Sequence, residues 1–280
     1  MAAHFGVWEL RFPSSRAVDE DDDEEDEITE EKERQISPLI LWSPKITESL
    51  KDCQENVVKC STLVLGFDKV ASTFLEAHFL CGSNSEIIGA VSRKDNEKDF
   101  SSVVKSTNVE KVSFLYRLKK NDDVIFCKCP SHVEENVAFL WSRKVFDNVR
   151  PSKVIILSSA PACEYSTSDP SNLKSDFVKM LHTTAWNKSN EKTDIGFVET
   201  PNTIRGVAAA VLNHCQVYNV PAALYVCYAA SLHLEAQSVE TFSILLTSKE
   251  FSGLNKSPKE ETSKVLKALG IGKTHDNLYV

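Results

Sequence analysis

The sequence predicts a single α/β domain with a mostly parallel central sheet covered by helices on both faces. Two observations carry that expectation. Val154–Leu157 and Ala222–Tyr228 are apolar on both sides, as strands buried between two helical layers must be. Strand-like segments also alternate with segments of helical period along the chain, the pattern of a sheet wrapped by helices. At 280 residues, 42% hydrophobic and 26% charged, the chain is long enough to bury a core without metal or disulfide staples.

The elements follow in order. Cys60–Phe67 reads as a strand, and Lys69–Leu80 as the helix after it. Ile87–Val91 and Val112–Leu118 read as strands around a polar, exposed stretch at Ser92–Lys111. Val124–Cys129 is a further strand, closed by Pro130, which has no N–H for a ladder. Ser131 is placed to cap a helix running to about Asn148, with Glu134 and Glu135 in its first turn, where the helix dipole favours acids. After Val154–Leu157, residues 160–171 read as a loop and Leu173–Thr183 as a helix. Ile204, Val207, Ala208, Val211, Leu212 and Cys215 mark one helical face. Beyond the strand at Ala222–Tyr228, helices are expected at Val239–Lys249 and Lys259–Leu269, the last ending at Gly270.

Charge divides the chain. Residues 1–35 carry thirteen acids and four bases, a net of −9, and Asp19–Glu27 are nine consecutive acids. Self-repulsion and the lack of apolar residues make 1–35 a disordered acidic tail, either a solvated extension or a contact for a basic partner. The remaining 245 residues carry twenty-seven acids and twenty-eight bases, a net of +1, without the concentrated basic face that nucleic acid requires. The domain is expected at 36–270, and 271–280 as a flexible C-terminal tail. The start lacks a signal-peptide pattern, no apolar run is long enough to span a bilayer, and eight cysteines in such a chain read as reduced thiols.

Motifs for catalysis fail on geometry. Gly272-Lys273-Thr274 resembles the end of a phosphate loop, but Lys267 stands where a further glycine is needed. Cys127 and Cys129 share one side of a strand near His132, yet zinc wants four ligands; structural thiols are the better reading. His214 and Cys215 are helical neighbours about 100° apart and cannot form a nucleophile–base pair. Tyr225 and Tyr228 read as core residues. The expectation is no catalytic, metal or cofactor residue and no enzyme activity, with a phosphorylase-like α/β enzyme acting on a small molecule as the alternative.

The tip Leu278-Tyr279-Val280 offers an apolar knob, a ring with a hydroxyl and a carboxylate, handles suited to a narrow pocket with a lysine at its mouth. The segment Thr200-Pro201-Asn202, Ala209-Ala210-Val211-Leu212, Cys215-Gln216-Val217-Tyr218 and Val220-Pro221-Ala222 resembles the proteasome assembly chaperone 1 family. So do Leu224-Tyr225-Val226-Cys227-Tyr228, Val239-Glu240-Thr241-Phe242 and the ending Asn277-Leu278-Tyr279-Val280. The resemblance implies an α/β chaperone that pairs with a second, related proteasome assembly chaperone. It implies that this heterodimer binds the α-ring of the 20S core particle, promotes assembly of the α-subunits and prevents wrong ring association. The family's hydrophobic-tyrosine-any ending, which docks between α-subunits, falls on Leu278, Tyr279 and Val280. No cofactor, nucleic acid or membrane span is implied; the location implied is cytoplasmic, with the nucleus and the endoplasmic-reticulum surface also open.

Overall fold

The computed structural model describes residues 38–51, 55–93, 99–105, 112–129, 133–167, 175–187, 195–230, 234, 236–254 and 256–268. Eight strands form one sheet: β1 (Pro38–Trp42), β2 (Val58–Phe67), β3 (Ser85–Arg93), β4 (Ser113–Leu118), β5 (Val124–Cys129), β6 (Val149–Pro161), β7 (Phe177–His182) and β8 (Ala222–Ala229). Their spatial order is β1-β3-β4-β5-β2-β6-β8-β7. The central four, β5-β2-β6-β8, are parallel, as the both-sides-apolar segments require. The flanks, β1-β3-β4-β5 on one side and β8-β7 on the other, are antiparallel.

Helices cover both faces. They are α1 (Pro44–Lys51), α2 (Asp68–Leu75), α3 (Phe100–Lys105), α4 (Glu135–Asn148), α5 (Thr184–Asn187), α6 (Gly206–Val217), α7 (Ala236–Thr241), α8 (Lys249–Ser252) and α9 (Lys259–Ala268). Because strand side chains alternate, β2 sends Leu63, Leu65 and Phe67 to one face and Val64 to the other. The first face packs Ala138, Trp141 and Val145 of α4 and Val207, Val211 and Cys215 of α6. The second packs Val70, Phe74 and Leu75 of α2, with Val239, Phe242 and Phe251. Gly66 permits the close seating of α2, since a Cβ there would lie 2.6 Å from Leu75 Cδ1.

The helix expected at Lys69–Leu80 forms as α2 and then widens into a π-helical turn at Glu76–Leu80. Three other expectations need correction. The segment assigned to a helix at Leu173–Thr183 is strand β7 over Phe177–His182. It can be a strand because Phe177 and Leu181 pack on one face while Val178 and Met180 pack on the other, so both sides of the ribbon are used. Ser92–Lys111 is not simply exposed: α3 lies within it, and Val103 joins Ala90, Val112 and Phe114 in a small separate core. The continuous helix expected at Val239–Lys249 is replaced by α7, a 3-10 turn at Phe242–Thr247 and α8. The tighter period superimposes positions i and i+3, and Phe242 and Leu245 both enter the core. β1 and α1 lie in a segment with no strand or helix expectation. Ser131, placed as the cap of α4, lies outside the described residues; Glu134 precedes the helix without a side-chain capping bond. Residues 1–35 and 271–280 also lie outside them.

Candidate interaction surfaces

Helix α6 reads GVAAAVLNHCQV and has no Asp, Glu, Lys or Arg in twelve residues. Only one side of it enters the core, through Val207, Ala208, Val211 and Cys215. A helix apolar nearly all round is normally covered all round. Here its C-terminal end leaves Val217 68% and Tyr218 67% exposed. Alongside, α4 repeats Phe139, Arg143 and Phe146 at i, i+4 and i+7, one helical stripe. Phe139 is 57% exposed, and Phe146 stacks on His214 of α6 at 4.3 Å. His214 in turn meets Tyr218 at 4.4 Å. Partial burial lowers the His214 pKa against the opposing pull of Asp147, which favours the neutral ring in this stack. Arg143 and Asp147 approach each other to 4.0 Å. The result is a ladder of rings across two helices, bordered by little net charge.

The carboxyl-terminal helix is fastened elsewhere. The last carbonyls of a helix lack intrahelical donors, and in the π-helical turn they find them in the chain's last described segment. Thr262 Oγ1 donates to Ala77 O at 2.8 Å, and Ser257 N donates to His78 O at 2.7 Å. Leu266 of α9 packs against the core on the α2 side of the sheet. Leu278, Tyr279 and Val280, the expected docking residues, lie outside the described residues, as do Asp19–Glu27, His132 and Gly272-Lys273-Thr274.

A third feature is a crevice of about 960 Å³ at the carboxyl ends of β2, β6 and β8. The chain leaves β2 toward the β5 side and β6 toward the β8 side, so this is the point where connections diverge. Asp68, directly after β2, takes a left-handed φ of 70°. Its carboxylate accepts the N–H of Ala71 at 3.1 Å, which caps α2, and also the N–H of Ser159. Burial pushes its pKa up to about 6 against these bonds. On the far wall, Asn202 accepts from Ser166 N at 2.7 Å and donates to Ser166 O at 2.8 Å, tying two loops together.

Among the described residues the buried cysteines are packing groups, and Cys163 is exposed. Cys127 and Cys129 share the face predicted for them, fully buried, and burial raises both thiols, Cys129 to about 11. Cys215 is buried and raised to about 12, while its neighbour His214 points into the ring ladder. Tyr225 and Tyr228 are core residues, on opposite faces. No group of three or more metal-ligand side chains is found among the described residues, and none of their helices is long and apolar enough to cross a membrane. The ring ladder and Asp68 were missed in the sequence. The charge-free run of α6 could have revealed the first; nothing local marks the second.

A family model described as Proteasome assembly chaperone 4 matches residues 1–280. The chain is 48% identical over 242 residues to Proteasome assembly chaperone 1 of Nematostella vectensis, covering 86% of this chain and 93% of that one. It is 31% identical over 299 residues to the Xenopus laevis protein of the same name, covering 100% of each. Among solved structures, it is similar to Pyrococcus furiosus PbaA, described as an archaeal homolog of proteasome-assembly chaperone. The TM-score is 0.56 at 12% identity, with 84% of this chain and 89% of that one covered. Pyrococcus furiosus PbaB, described as an archaeal proteasome activator, gives a TM-score of 0.51 at 12% identity, covering 84% and 99%. At those identities the likeness is one of fold.

Fold and relatives define the class as that of proteasome assembly chaperones. Within it, the chain belongs to the proteasome assembly chaperone 1 family, whose membership implies a non-catalytic role.

Proposed function

We propose that this chain pairs with a second, related proteasome assembly chaperone and that the heterodimer binds the α-ring of the 20S core particle in the cytoplasm. There it promotes α-subunit assembly and prevents wrong ring association. The family match across residues 1–280 carries the reading. The ring ladder of α4 and α6 supplies the surface for the partner chaperone: the rings and the charge-free α6 lose little on desolvation, whereas unpaired charges would lose much.

The carboxyl-terminal tail supplies the second contact. Leu278 buries apolar area between α-subunits, Tyr279 stacks and hydrogen-bonds, and the Val280 carboxylate pairs with a pocket lysine. Such a tripeptide is weak alone, but tethered to a body already on the ring its effective concentration reaches about the millimolar range. Removing Leu278–Val280 is expected to weaken binding to α-ring intermediates by ~10-fold or more while pairing with the partner chaperone persists. Co-purification of both partners with full-length and truncated chains checks this. Equal recovery of α-subunits by the two would rule out the docking role.

A further inference from the structure

The crevice at the ends of β2, β6 and β8 shares none of Phe139, Phe146, His214 and Tyr218 with the ring ladder. Its wall carries two cations, Lys69 and Arg205, and two further carboxylates, Glu135 and Glu164. None of the four forms an ion pair among the described residues. All four are exposed on the lining of a space of about 960 Å³, within the roughly 300–1,000 Å³ range of small-molecule sites. The cavity lies outside the carboxyl ends of parallel strands at the point where their connections diverge, the place where open α/β sheets receive ligands.

The walls are preformed. The Asn202–Ser166 pair clamps the loop before α6 to the turn after β6. Asp68 ties the end of β2 to the end of β6 through Ser159 N. The Asp68 carboxylate and the Asn202 amide are thus already engaged, which leaves the four charges at the wall for an occupant.

We infer that this crevice binds a small zwitterion, its anionic end on Arg205 and Lys69 and its ammonium end on Glu135 and Glu164. A ligand with only one charge would leave the opposite pair unanswered, whereas one carrying both completes each as a charge-assisted hydrogen bond. Size and charge together point to an amino-acid-like molecule or short free peptide, with both ends unblocked.

The test uses triglycine, N-acetyl-triglycine and triglycine amide, titrated into the full-length chain and followed by amide chemical shifts. Triglycine is expected to saturate in the millimolar range or tighter and to move the amides of Ser158, Ser159 and Asn202. Each blocked peptide is expected to bind ~10-fold more weakly. Arg205→Gln should remove the discrimination against the amide, and Glu135→Gln the discrimination against the acetylated peptide. Both side chains are exposed, so unchanged thermal unfolding shows that the variants are folded. Absence of saturable triglycine binding overturns the inference, as does equal binding of all three peptides or a uniform loss in both variants. None of these outcomes bears on ring binding, which the tail truncation tests by itself.

Discussion

At Asp68 a single carboxyl closes β2, caps α2 and reaches across to β6, in a left-handed conformation that asparagine and aspartate tolerate better than most residues. Its pKa, raised by burial from 3.8 to about 6, means that the folded state holds its proton more tightly than the unfolded one. That contribution is complete below about pH 4 and is lost as pH rises through 6. His78 on the π-helical turn acts in the opposite sense. Burial, with Lys256 nearby, lowers its pKa from 6.5 to about 4, so its contribution is full above 6.5 and is lost as pH falls through 4. Between pH 4 and 6 the two slopes oppose each other. Asp68→Asn removes the charge but keeps one acceptor oxygen where the carboxylate gives separate oxygens to Ala71 N and Ser159 N, and the lost bond is expected to cost about 1 kcal/mol. The substitution should also steepen the loss on acidification by leaving His78 unopposed. Thermal unfolding of both chains across pH 4–7 decides the matter; parallel curves would contradict it. None of this is legible in the sequence, where Asp68 is one acid among forty, because its role depends on Ser159, ninety-one residues away.

For the helices and strands, the ring ladder makes the sharpest claim. Phe139→Glu or Tyr218→Glu places a charge where the proposed partner presents apolar surface. Each is expected to cost ~2 kcal/mol or more of pairing free energy, a loss of roughly 30-fold or more. Because both side chains are exposed, folding should be nearly unaffected. Analytical ultracentrifugation with the partner chaperone measures the loss, and unaltered association in both variants would remove the face from the interface. Helix α6 was legible because Val207, Ala208, Val211 and Cys215 recur at helical spacing. The core strands were legible because their segments are apolar on both sides. β7 was not, since Phe177-Val178-Lys179-Met180-Leu181-His182 serves two half-buried faces and takes its ladder from β8, a non-local cause. The 3-10 turn at Phe242–Thr247 escaped for a related reason: the packing of Phe242 and Leu245 decides its period, and propensity does not. The uncharged run of α6 was on the page, but only burial distinguishes a covered helix from an uncovered one.

Across the whole chain, charge and core are separable. Residues 1–35 carry the net of −9, and the other 245 carry +1 together with the extended apolar segments. Deleting residues 1–35 is therefore expected to leave the unfolding midpoint and partner pairing unchanged while raising the isoelectric point from about 5.5 toward neutrality. Isoelectric focusing, unfolding curves and co-purification check this. Weaker recovery of α-subunits after the deletion would instead give the acidic run a contact of its own.

The sheet itself has a mechanical consequence. The ring ladder grows from helices packed on one of its faces, while α9, from which the terminal tail continues, is clipped to the π-helical turn on the other. A whole layer, roughly 10 Å deep, stands between the ring ladder and α9. On the proposed reading, a partner chaperone seated on the ladder and a body reached from the α9 side would not compete for the same surface. Their free energies should then simply add, so that the molecule works as a rivet between two bodies rather than as a seat offered to each in turn.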